Sequence, residues 1–189
     1  HTSELQSQDY LVCRLLLELK DKVRSIPNWP IEGVTFRDIT TVLQDPEAFR
    51  YSIDLFYDRY KTMQIDKIVG IDARGFIFGA VLAYKLNLSF IPVRKKGKLP
   101  FKTISAEYDL EYGKDTVEMH EDAIQKGDRV LVVDDLIATG GTVAAAVELV
   151  QKLGGSIVEC AFLLELTDLK GQEKIKGVPI FSLIEFEGE

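Results

Sequence analysis

Two histidines, two cysteines and one tryptophan are all that this 189-residue chain holds of those types, and each scarcity removes a class of chemistry. His1 and His120 leave little from which to build a histidine metal site or a Ser-His-Asp triad. Cys13 and Cys160 make no disulfide framework. Cys160 falls in the apolar run from Ile157 to Leu164, where a buried thiol is expected, and a reducing compartment fits. Positive charge is also short: 23 Lys and Arg stand against 30 Asp and Glu, and a net charge of -7 argues against general affinity for nucleic acid. Long hydrophobic runs are missing too. Leu15-Leu16-Leu17 is bracketed by Arg14 and Glu18, so it reads neither as a signal-peptide core nor as part of a membrane span, and a cytoplasmic protein is expected. With no repeat, low-complexity tract or linker-like segment, and with 46% apolar residues, the chain reads as one domain spanning 1–189.

Apolar runs alternate with amphipathic segments, the mark of βαβ units and a mainly parallel sheet with helices on both faces, hence an α/β fold. Strands are expected at Lys67 to Ile71, Ser89 to Val93, Arg129 to Val133, Ser156 to Leu164 and Pro179 to Ile184. Helices are expected at Tyr10 to Val23, Gly75 to Leu86 and Thr142 to Leu153. In the first of these Leu11, Val12, Leu15, Leu16 and Leu19 share one face. Asp45-Pro46-Glu47, a cap followed by a proline suited to the first helical position, opens a further helix through about Tyr60. Ile104 to Asp109 and Thr116 to His120 can pair as a hairpin across Gly113.

The stretch from Arg129 to Thr142 carries the most chemistry. Its apolar strand ends, on this reading, at Asp134 and Asp135. Adjacent carboxylates resist joint burial, which places them at a solvated rim where ribose hydroxyls or a hydrated Mg²⁺ offset their repulsion. Ala138, Thr139, Gly140, Gly141 and Thr142 follow, small or hydroxylated residues whose backbone N–H groups can approach an anion at the start of a helix. No Lys follows the glycines as in a Walker A loop, and the G-x-G-x-x-G spacing of a dinucleotide turn is absent. The plain alternative is a βα turn whose acids cap the helix and whose glycines only reverse the chain.

Two further segments point to anions. Val69 to Phe76 turns from strand to helix and presents backbone N–H groups and Arg74; taken alone, Arg74 reads equally as half of a surface ion pair. Arg94, Lys95, Lys96 and Lys98 concentrate cations at the carboxyl edge of a strand, where α/β ligands bind. Strand alternation turns Lys96 toward solvent.

Val132-Val133-Asp134-Asp135 with Ala138 to Thr142 resembles the PRPP-binding motif of the type I phosphoribosyltransferases. Gly33 to Asp38, Arg94 to Pro100 and Leu110 to Gly113 resemble, in order and spacing, segments of the adenine phosphoribosyltransferases, and the likeness runs from about Ile26 to Phe186. Ala73 stands where that family often has Ser, and Phe101 where it commonly has a small residue. The resemblance implies a five-stranded, mainly parallel sheet flanked by helices. A hood at about 26–40 and 164–186 and a mobile flap hairpin at about 95–120 complete that fold.

It implies roles as well. Asp134 and Asp135 hold ribose hydroxyls, and the loop to Thr142 wraps the sugar phosphate. Asp72, Ala73 and Arg74, across a cis peptide at Asp72-Ala73, join Arg94, Lys95 and Lys98 in binding pyrophosphate. Phe36 and Leu166 wall the adenine, whose amino edge meets main-chain groups from Thr35 to Arg37; no Lys in Phe162 to Thr167 greets a 6-oxopurine carbonyl. Glu111 handles a proton and Tyr112 seals the site. Mg²⁺ is the implied cofactor, with Asp134 and Asp135 reaching it through water, and a homodimer the implied assembly. The implied reaction is AMP formation from adenine and PRPP in purine salvage. Within the enzyme class a xanthine-type transferase is the nearer alternative. A regulatory module that keeps the PRPP loop is the rival from another class, disfavoured because about thirty residues before Gly33 are too few for a separate DNA-binding domain.

Overall fold

Val130, Leu131, Val132 and Val133 are all fully buried, as the strand carrying them requires a cover on each face. A computed structural model describes residues 2–110 and 113–187. The chain opens with α1 (Thr2–Lys22), an antiparallel ribbon of β1 (Arg24–Pro27) and β2 (Thr35–Asp38), and then α2 (Thr40–Gln44) and α3 (Pro46–Tyr60). There follow β3 (Lys67–Ile71), α4 (Gly75–Leu86), β4 (Ser89–Lys95), β5 (Thr103–Asp109), β6 (Lys114–His120), β7 (Arg129–Ile137), α5 (Gly141–Lys152), β8 (Ser156–Leu166) and β9 (Ile180–Phe186). Two 3-10 turns, Thr167–Leu169 and Gly171–Ile175, link β8 to β9.

Strand order is β5-β6-β4-β3-β7-β8-β9 among the described residues. The run β4-β3-β7-β8-β9 is parallel throughout, as the five expected strands require. The hairpin is not a separate appendage: β6 pairs antiparallel with the end of β4, Arg94 opposite Glu118 and Lys95 opposite Val117, so one sheet has seven strands. β4 runs past Val93 to Lys95 and offers unpaired backbone groups that β6 satisfies.

Alternation sorts the core. Leu131, Val133, Ala161 and Leu163 face one side, with Phe56 of α3 and Phe78 and Leu82 of α4. Val130, Val132, Cys160 and Phe162 face the other, with Val143, Ala146 and Leu149 of α5 and Met119 of β6. In α1 the packing is narrower than its apolar pattern suggests. Leu19 is buried and Leu16 packs against the core, while Leu11 and Val12 stay exposed.

Asp45 caps α3 as expected, its carboxylate accepting from Glu47 N at 3.0 Å and Ala48 N at 3.1 Å, with Pro46 in the first turn. No helix among the described residues is long and apolar enough to cross a membrane.

Candidate active site

β7 does not end at its acids. It continues to Ile137 because β8 runs beside it as far as Leu166, with Ile137 opposite Glu165. Asp134 and Asp135 therefore lie inside the strand. The expectation that both sit at a solvated rim is corrected: Asp135 is only 4% exposed, and its burial is made possible by Arg74, whose Nε lies 2.5 Å from Oδ2. Asp134 is half-buried and accepts from the Asp135 backbone N–H at 2.8 Å. Burial and the adjacent Asp135 charge push the Asp134 carboxyl well above the usual carboxylate range.

A cavity of about 330 Å³ opens beside this pair. Its lining unites Asp72, Ala73 and Arg74 from the end of β3, Lys95 from β4, Asp134 and Asp135, and the whole loop Ala138 to Thr142. The Asp72-Ala73 peptide is cis. Neither α4, after Arg74, nor α5, after Gly140, carries a side-chain cap like that of α3. The first residues of α5 line the cavity, whereas the Phe76 and Ile77 N–H groups of α4 already donate to the Ala73 and Arg74 carbonyls at 3.2 and 3.1 Å. Gly140 adopts φ 79°, a conformation disfavoured for other residues, and thereby turns the loop into α5.

Arg94 and Lys98 are not in the lining. Arg94 Nε holds Asp72 Oδ2 at 3.1 Å and its guanidinium also donates to the Lys98 carbonyl at 3.3 Å, bracing the turn from behind, while the Lys98 side chain is exposed. Lys96 is exposed as well, as alternation requires. Lys95 carries a contact that sequence gives no sign of: its ammonium donates to Tyr108 OH and to Asp115, both from the hairpin, and Tyr108 OH lies 3.1 Å from the same carboxylate. Burial works against the Lys95 charge, but Asp115 and Tyr108 outweigh it and hold its pKa above the ordinary value.

Beyond the cavity mouth, Phe36 is half-buried, packs edge-on to Trp29 at 4.5 Å, and has the Arg74 guanidinium 5.9 Å from its ring centre. Thr35 and Arg37 flank it on β2. Arg37 stacks 4.4 Å from the Phe186 ring, tying this ribbon to β9, and Leu166 lies opposite Phe186. None of these residues lines the cavity, and Phe36 is tied to it through Arg74. Glu111 and Tyr112 lie outside the described residues. Among the described residues no three His, Cys, Asp or Glu side chains cluster as a metal site.

The phosphoribosyl transferase domain family matches residues 38–187. An adenine phosphoribosyltransferase of Desulfosudis oleivorans is 69% identical over 173 residues, covering 92% of this chain and 100% of that relative. The crystal structure of adenine phosphoribosyltransferase from Thermoanaerobacter pseudethanolicus superimposes with a TM-score of 0.87 at 51% identity, covering 90% of this chain and 99% of the other. The Saccharomyces cerevisiae enzyme, complexed with D-2,5-dideoxy-2,5-imino-altritol 1,6-bisphosphate and adenine, gives a TM-score of 0.86 at 42% identity over 90% of this chain and 99% of its own. By family match, identity and shared fold, this chain belongs to the phosphoribosyltransferase family and, within it, to the adenine phosphoribosyltransferases.

Proposed function

We propose that this chain transfers the phosphoribosyl group of PRPP to adenine, releasing pyrophosphate and giving AMP in purine salvage. The observation that carries the reading is one cavity that gathers the uncapped start of α5, the turn Asp72 to Arg74, Lys95 and the acid pair. The start of α5 suits the sugar phosphate, which meets backbone N–H groups and a helix dipole, and the turn with Arg74 beside Lys95 suits the pyrophosphate. The ribose hydroxyls then fall to Asp134 and Asp135. The relative from Desulfosudis oleivorans, named for adenine and 69% identical, supports the base assignment.

In the step itself the lone pair of one imidazole nitrogen of adenine forms the bond to the anomeric carbon while the bond from that carbon to pyrophosphate oxygen breaks. Glu111 takes the proton from the other imidazole nitrogen. Phe36 and Leu166 hold the ring, Thr35 to Arg37 meet its amino edge through the main chain, and Tyr112 closes over it. Asp72, Ala73, Arg74 and Lys95 receive the charge that develops on the departing group, with Arg94 and Lys98 supporting them. Residues 26–40 and 164–186 form the hood around the base, and 95–120 the flap.

Asp134 and Asp135 would hold Mg²⁺ through water, since the described residues offer no full protein ligand set. When bound it supplies neutralisation of pyrophosphate charge. A homodimer in the cytoplasm completes the proposal.

Incubation with PRPP, Mg²⁺ and each nucleobase in turn, followed by nucleotide analysis, tests it. AMP from adenine alone is the expected result. Nucleotide from xanthine, hypoxanthine or guanine in its place overturns the base assignment, and PRPP binding without turnover on any base points to a regulatory module.

A further inference from the structure

The loop that cups the sugar phosphate in the proposed function has a backing that belongs to a distant part of the chain. Gly171, the first residue of the second 3-10 turn, is buried directly behind Gly140. A side chain on Gly140 would overlap the Gly171 carbonyl oxygen and come within 2.9 Å of its carbonyl carbon. In the other direction, a side chain on Gly171 would overlap the Ala138 carbonyl oxygen and lie 3.0 Å from Gly140 N. The two glycines thus meet backbone to backbone, with no room for even a methyl group between them.

The turn carrying Gly171 is itself fixed. Gln172 Nε2 donates to Glu165 Oε1 at 2.6 Å, and Ser182 Oγ of β9 makes a longer contact of 3.5 Å to Oε2 of the same carboxylate. Glu165 is 4% exposed, an expensive place for a carboxylate unless it is held by donors. It lies opposite Ile137 in the sheet, one residue before the phosphate loop begins, and it immediately precedes Leu166, the proposed wall of the base slot. Packing alone would be satisfied by an apolar residue at this position; a buried acid whose donor comes from the turn behind the loop suits a positional task.

We propose that Glu165, Gln172 and Gly171 form a brace that holds the backbone of residues 138–140 in the shape needed to receive the PRPP phosphate, making them positioning residues for this reaction. The brace rests on the phosphoribosyl reading above and deepens it. It touches neither the reacting carbon nor the leaving group, so its effect falls on the capture of PRPP and much less on adenine.

Gly171→Ala and Gln172→Ala, compared with the unaltered enzyme for PRPP affinity by calorimetry and for KM of each substrate, test it. Gln172 is exposed, so its variant tests the brace even where Gly171→Ala fails to fold. The expected result is a tenfold or greater rise in the Kd and KM for PRPP in both variants, with the KM for adenine changed less than threefold. Glu165→Gln keeps an acceptor oxygen for Gln172 and is expected to stay within threefold of the unaltered enzyme. Gln172→Glu places two carboxyl groups together, so its defect should lessen as pH falls and a shared proton restores the donor. PRPP affinity within twofold of the unaltered enzyme in Gln172→Ala, or an equal rise in both KM values, overturns the brace. An unaltered enzyme that binds no PRPP overturns the underlying reading instead.

Discussion

Arg74 Nε lies 2.5 Å from Asp135 Oδ2, which makes the cation at the turn after β3 and the buried acid of β7 a single unit. The pair is one-sided: the arginine side chain is 46% exposed and the aspartate 5%. Arg74 is therefore free at its outer edge to meet an anion, while its Nε holds in place the acid assigned to the ribose.

Arg74→Ala should consequently do two kinds of damage. With an anion-binding cation lost and the ribose acid unanchored, kcat/KM for PRPP should fall about 100-fold, roughly 3 kcal/mol. Asp135, left buried without its cation, should also lower stability by about 1–3 kcal/mol. Steady-state kinetics and denaturant unfolding check the two separately, and a loss of activity with unchanged stability would contradict the pairing.

Arg94 and Lys98 are expected to separate. Arg94 holds Asp72 directly and the Lys98 carbonyl as well, so Arg94→Ala should raise the KM for PRPP about tenfold or more, whereas Lys98→Ala, removing an exposed side chain, should have the smaller effect. Turnover that is unchanged in both variants would remove these residues from the pyrophosphate side.

Glu111→Gln should reduce kcat by about 100-fold with little change in PRPP affinity, since a general base acts on the reacting proton and not on the sugar phosphate. Equal rates would end the assignment of Glu111 as the proton acceptor.

Far from the site, Glu159 accepts two hydrogen bonds from Arg59, each 2.8 Å, and one from Tyr60 at 2.6 Å. Burial pushes its carboxyl up, but these donors outweigh burial and bring it below its ordinary value of 4.5. A carboxylate lowered on folding adds stability above its unfolded value and loses it as pH falls through the lower folded value. Unfolding free energy should therefore decline below about pH 4.5. Glu159→Gln should flatten that decline and, with Arg59 partly solvated, cost about 2 kcal/mol at neutral pH. Urea unfolding across a pH series measures both effects.

Local pattern sufficed for the presence of the parallel strands, for the Asp45 cap, for the helix Gly75–Leu86 and for the small-residue run Ala138 to Thr142 at the cavity, because period, capping chemistry and small-residue spacing are written in contiguous residues; it ended β7 too early, so the place of its two acids was not legible. Resemblance added the cis bond at Asp72-Ala73, and the roles proposed for residues that are silent on their own rest on it. What neither reached are relations between segments far apart in the chain: Arg74 neutralising Asp135 inside the strand, Asp115 and Tyr108 holding Lys95, the hairpin completing the sheet at β4, and Gly171 lying behind Gly140. Charge and excluded volume act through space, so a side chain's partner is settled only when the sheet has brought the strand ends together. The order of residues establishes which groups this protein can bring to an anion; folding selects which of them are held ready, and by what.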